Sequence, residues 1–151
     1  MKKILTVLIL LYGQLYALER ESTLKIYHQI FSVLVPKPVI RVFTDDREYR
    51  QVFAYSKRIF LSNDPKKADI ILITNRSTLS KIRGEMENMH NKERKPVLFV
   101  TDYRLLKLSP EAVGAFYWRK GRSQLLFIKN RLDKYNITLP KEYKNFLVDT
   151  L

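Results

Sequence analysis

Apolar residues recur along this chain in two rhythms. Over residues 19–35 they come at helical spacing, with Leu24, Tyr27, Ile30, Phe31 and Leu34 on one face. Ser22 is a candidate cap, and Pro36 and Pro38 stop the helix. The runs that follow are short and continuously apolar. Residues 39–43 (VIRVF), 68–74 (ADIILIT) and 96–101 (PVLFVT) each read as a strand buried on both faces. Residues 58–61 read as a shorter strand. Helical spacing returns between them: Tyr49, Val52 and Phe53 within 48–56, and Leu79, Ile82 and Met86 within 76–89. Ser62-Asn63-Asp64-Pro65 is a turn, and 91–95 is a charged loop. Farther on, two apolar and aromatic runs, 113–118 and 124–128, flank Arg119-Lys120-Gly121-Arg122. That reads as a hairpin with a four-residue, Gly-containing connection. Residues 129–135 read as a short helix, broken by Ile137-Thr138-Leu139-Pro140. Residues 141–148 read as a last helix with Tyr143, Phe146 and Leu147 facing inward.

Strands that alternate with helices predict an α/β fold. The expected architecture is a single three-layer domain with a mainly parallel sheet and right-handed crossovers. The C-terminal hairpin adds antiparallel strands to that sheet. No repeat, low-complexity tract or linker divides residues 18–151, so they are read as one domain.

The first 17 residues stand apart. Lys2 and Lys3 precede an apolar run over 4–12, broken only by Thr6, and Ala17 supplies a small residue at a cleavage position. That is the layout of a secretory signal peptide. A membrane span needs roughly 20 apolar residues, and Gly13 and Gln14 interrupt this run, so a retained anchor is the less favoured reading. The expected location is the periplasm. Formal net charge is +13, which attracts nucleic acid, anionic lipid or an acidic protein face. Export shifts the expected partner to an envelope protein or the anionic membrane surface, and away from nucleic acid. The chain has no cysteine, which excludes disulfides, thiolate metal sites and a cysteine nucleophile.

Candidate chemistry collects at two places. In parallel sheets, ligands bind beyond the carboxyl ends of the strands. Three strands end alike here, in Thr44-Asp45-Asp46, Thr74-Asn75-Arg76 and Thr101-Asp102-Tyr103. If these strands are neighbours, Asp45, Asp46, Asn75, Asp102 and Tyr103 form one polar rim, a pocket for a sugar, an anion or a peptide end. The same residue types are also ordinary helix N-caps. No calcium-loop spacing accompanies the carboxylates, so no metal is expected. The second place is the hairpin tip, where Arg119 and Arg122 can fork onto carboxylates or phosphates beside Trp118 and Lys120. Trp118 serves equally well as a core residue or as an interface anchor. Catalytic groups are scarce. The histidines are His28, on an apolar helix, and His90, at a helix end. There is no nucleophile elbow, and the glycines at 13, 84, 114 and 121 form no phosphate loop. The chain is therefore read as a non-enzymatic binding protein without a cofactor.

Residues 68–102, with ADIILIT and PVLFVTD, and residues 127–139, FIKNRLDKYNITL, resemble the exported YfiR-type proteins. The match lies in the order of a strand, a helix, a PVLTVSD-like strand, a hairpin and an Asn- and Leu-containing helix. The resemblance implies a periplasmic α/β domain that regulates a membrane-bound signalling enzyme, typically a diguanylate cyclase, by binding its periplasmic part. This chain lacks the cysteines that such proteins often carry, and its WRKGR tip is not part of their pattern. The function expected from the sequence is a periplasmic regulator acting by protein contact; the alternative is a solute-binding component that uses the rim.

Overall fold

The computed structural model describes residues 19–89 and 94–151. The expected signal segment and His90 lie outside the described residues. Seven strands run in chain order as β1 (Ile40–Phe43), β2 (Ile59–Leu61), β3 (Ile70–Ile73), β4 (Val97–Val100), β5 (Ala112–Arg119), β6 (Arg122–Ile128) and β7 (Leu147–Val148). They form one sheet in the order β2-β1-β3-β4-β5-β6-β7. All of β3 and β4 is buried, as continuous apolar runs require in a sheet covered on both sides.

Helices supply that cover. On one face lie α1 (residues 19–34) and α2 (Arg47–Phe53). Tyr27, Phe31 and Phe53 of these helices pack with Phe99 and Phe127 of the sheet. Phe31 meets Phe53 at 5.9 Å and stands edge-on to Phe99 at 6.2 Å, within the range where aromatic pairs attract. On the other face lie α3 (Arg76–Glu87) and α4 (Tyr103–Leu108). Leu79, Ile82, Leu105 and Leu106 there cover Ile71, Ile73, Leu98 and Val100. A short α5 (Lys129–Asp133) follows the hairpin. The molecule is thus a single α/β domain with a mostly parallel, mixed sheet.

Three details differ from the sequence expectation. The first arm of the hairpin, β5, joins the sheet parallel to β4, so only β6 and β7 run the other way. Helix α4 was not expected: six residues are too short a run to show a period, yet Leu105 and Leu106 are buried. The last segment is not a full helix. It is a 3-10 helix (Lys141–Phe146) that ends in β7, and Phe146 is 39% exposed while Tyr143 and Leu147 are half-buried against the sheet.

The β4–β5 pairing carries a bulge. Leu98 pairs with Ala112 but Phe99 pairs with Gly114, which leaves Val113 as an extra residue. A side chain at Gly114 would place its Cβ 2.5 Å from the Leu126 carbonyl oxygen and 2.9 Å from the Phe127 ring. Glycine is therefore the residue that lets β5 sit this close to β6. Both outermost strands are short: three residues at β2, preceded by Lys57 and Arg58, and two at β7, which covers only Phe127 and Ile128 of the longer β6.

At the amino edge of the sheet, Asp69 clasps three segments. Its carboxylate accepts from Lys37 Nζ at 2.8 Å and from the Arg41 backbone N–H at 2.9 Å. Its own N–H donates to the Arg41 carbonyl, and its carbonyl accepts from Val97. Desolvation raises the pKa of this carboxyl, but the Arg41 N–H, Lys37 and nearby Arg94 outweigh it, and the net shift is downward. A depressed carboxylate stabilises the fold above its unfolded pKa, and that stability is lost as pH falls through the folded value. Melting temperature should therefore fall on acidification below about pH 4. The gap between wild type and Asp69→Asn should narrow over the same range; a gap independent of pH would show that the clasp contributes nothing.

Candidate functional site

The hairpin reaches beyond its neighbours. Val100 at the end of β4 pairs with Ala115, so residues 116–119 of β5 run past the sheet's carboxyl edge. The turn is tighter than the four residues expected. Arg119 pairs directly with Arg122, leaving Lys120 and Gly121 as a two-residue connection. Both have positive φ, 51° and 75°, the signature of a type I′ turn, which matches the twist of paired strands. Gly121 takes that conformation freely, whereas for Lys120 it costs about 1–2 kcal/mol. Two arginines face each other across the strands with a lysine between them, and like charges in register repel. None of the three cations makes an ion pair among the described residues.

Trp118 sits at this tip with 73% of its surface exposed. That resolves its two sequence readings in favour of a surface position. Trp118 lines a groove of about 470 Å³ with α1 and α2, where Glu19, Arg20, Thr23, Glu48 and Tyr49 lie. The sequence reading paired Trp118 only with cations and missed this partly acidic neighbour. Its one sequence signal is Glu48 in the first turn of α2, an ordinary helix-dipole position. Tyr49 is anchored from below by a 3.2 Å contact between its hydroxyl and that of Tyr27. Burial raises the pKa of both phenols, so both stay neutral.

The polar rim forms at the same edge, because β1, β3 and β4 are adjacent and parallel. Each of its residues has a structural task. Asp46 Oδ1 accepts the Tyr49 N–H at 3.1 Å and caps α2. Asn75 Oδ1 accepts the Thr78 N–H at 2.8 Å and caps α3. Asp102 Oδ1 accepts the Arg104 N–H at 2.7 Å and caps α4. Asp45 accepts from the Thr78 hydroxyl at 2.6 Å, tying the end of β1 to α3. Tyr103 packs on Tyr117 of the hairpin, with ring centroids 5.7 Å apart, and Lys107 Nζ lies over the Tyr103 ring, 5.1 Å from its centroid. Rim and tip are therefore one continuous edge, joined through Tyr103 and Tyr117.

The titratable side chains described at this edge are carboxylates, tyrosines and the tip cations. His28 lies elsewhere, half-buried on α1, with Nε2 3.5 Å from the Ser32 hydroxyl. Among the described residues, no three His, Asp or Glu side chains converge as metal ligands. What the edge offers is an exposed aromatic ring, unpaired cations and a groove, the residue types enriched where proteins bind one another.

Capping and exposure make separable predictions. Asp46→Ala, Asn75→Ala and Asp102→Ala should each destabilise the fold by about 1 kcal/mol in urea denaturation. Trp118→Ala should change stability by no more than about 0.5 kcal/mol, since the ring contributes little to the core. A large loss for Trp118→Ala would place the indole inside.

No protein-family model matches the sequence, and no curated protein matches it. Among solved structures, the chain is similar to a conserved domain protein from Vibrio cholerae, with a TM-score of 0.60 over 85% of this chain at 11% identity. The chain spans 60% of that protein's length. Likeness at that identity is likeness of fold.

Proposed function

We propose that this is a periplasmic, non-enzymatic binding protein whose working surface is the carboxyl edge of the sheet, led by the hairpin tip. The observation that carries the reading is the state of Trp118: 73% exposed beside Arg119, Lys120 and Arg122, on a turn that retains like-charge repulsion and a strained lysine. Folding alone gains nothing from that combination, whereas a partner that covers the ring and supplies carboxylates gains from all of it. The partner class is an envelope protein with an acidic face. The YfiR-type resemblance of residues 68–102 and 127–139 narrows it to a membrane-bound signalling enzyme such as a diguanylate cyclase, controlled through its periplasmic part. A solute pocket on the rim is the weaker reading, because Asp46, Asn75 and Asp102 already spend a side-chain oxygen on a helix N-terminus.

Charge reversal at the tip tests this. Tagged wild type and the triple variant Arg119→Glu, Lys120→Glu, Arg122→Glu are used to capture partners from solubilised envelopes. The wild type is expected to retain a membrane protein that the triple variant and Trp118→Ala release. Equal recovery with all three removes the tip as the contact, and fractionation of the protein into the cytoplasm removes the envelope partner.

A further inference from the structure

The opposite edge of the sheet holds a second, unrelated feature. A groove of about 690 Å³ opens between the start of β4 and the end of α5. Arg94, Lys95, Arg131 and Lys134 line it, against a single carboxylate, Glu111. That carboxylate is already engaged: its Oε2 accepts from the Ser109 hydroxyl at 3.0 Å and lies 3.7 Å from Arg83. Glu111 also acts on Arg131, so among the described residues the lining sets four cations against one carboxylate. Arg94 also influences Asp69, but Asp69 is satisfied by Lys37 and the Arg41 N–H.

Arg131 is the built part of this groove. The two N–H of its Nη1 are shared among three carbonyl oxygens, those of Leu106, Ser109 and Ala112, at 2.9, 2.9 and 3.0 Å. One end of the guanidinium is thus fixed to the α4–β5 connection. Nε and Nη2 make no hydrogen bond to any described residue, and neither is buried. A fork held rigid on one side with donors open on the other loses little freedom when an anion docks. Val97, Ile137 and the ring of Tyr135 supply apolar walls. Burial, reinforced by Glu111, pushes the Tyr135 phenol up to about 12, so that wall carries no negative charge.

We infer that this groove binds a small multivalent anion through phosphate or carboxylate groups, with Arg131 as the fixed fork and Arg94, Lys95 and Lys134 closing around it. The site is independent of the hairpin tip, on the other edge of the sheet. Its phosphate can come from a soluble compound or from a lipid headgroup, and the experiment separates the two.

Inorganic pyrophosphate is titrated calorimetrically at constant ionic strength, because salt screens exposed charge. The proteins are wild type, the groove variant Arg94→Glu/Lys134→Glu, and the tip variant Arg119→Glu/Lys120→Glu/Arg122→Glu. Arg94 and Lys134 are exposed, so their replacement leaves the core intact. Pyrophosphate should bind wild type and the tip variant alike, and the groove variant about tenfold or more weakly. Arg131→Lys keeps the charge but loses the fork, and should weaken binding as well. In a parallel arm, the same proteins are sedimented with phosphatidylglycerol vesicles. Sedimentation that pyrophosphate reverses and the groove variant lacks assigns the anion to a headgroup; pyrophosphate binding without sedimentation assigns it to a soluble ligand. Equal weakening in the groove and tip variants means that net charge alone attracts the anion, and overturns the site. So does the absence of binding heat at millimolar pyrophosphate together with vesicle binding that ignores the groove residues.

Discussion

Strands β3 and β4 have no polar face. All four positions on each of these two neighbouring strands are buried, Ile70–Ile73 and Val97–Val100. A sheet with such a centre must be covered on both sides, and that one constraint generates the three layers. It places α1 and α2 on one face and α3 and α4 on the other. Every crossover must then return to the same edge to start the next parallel strand. Strands β1, β3 and β4 consequently end at the carboxyl edge, and α2, α3 and α4, which follow them, begin there. The concentration of Asp, Asn and Thr at that edge is a result of this geometry: three helix N-termini need three caps within a small area.

This explains why the polar rim was legible in the sequence while its meaning was not. The chain order of strand, polar triplet and helix is visible in Thr74-Asn75-Arg76, and the rim did assemble from neighbouring strands. Whether a carboxylate faces a ligand or its own helix depends on rotation about side-chain bonds, which no spacing encodes. The same limit applies to Trp118. Alternation along β5 assigns it to the face of Phe116, but the exposure follows from the hairpin outrunning β4, a matter of register. Short elements were the other blind spot. Six residues of α4 and two of β7 are below the length at which periodicity can be read. The parallel entry of β5 was hidden because a hairpin suggests two strands added together, whereas α4 gives β5 its own crossover.

The two edges differ in how they carry positive charge. At the tip, Arg119, Lys120 and Arg122 stand in solvent on a strained turn. At the amino edge, Arg131 is locked to three carbonyls within a groove. The first arrangement suits a broad macromolecular face, where long side chains settle after contact. The second suits a small anion, where the donor must be in place beforehand. A single net charge of +13 thus conceals two different electrostatic designs.

The brevity of β2 and β7 has a consequence for how other molecules approach. Strand addition needs a run of open backbone donors and acceptors along an edge. At β2 only three residues are open, behind Lys57 and Arg58, but β7 covers only Phe127 and Ile128 of β6, so the outer side of residues 122–126 pairs with no described strand. The run of backbone open to an added strand therefore lies along β6, next to the hairpin tip. Backbone pairing and the side chains of the tip are thus offered side by side at one end of the sheet.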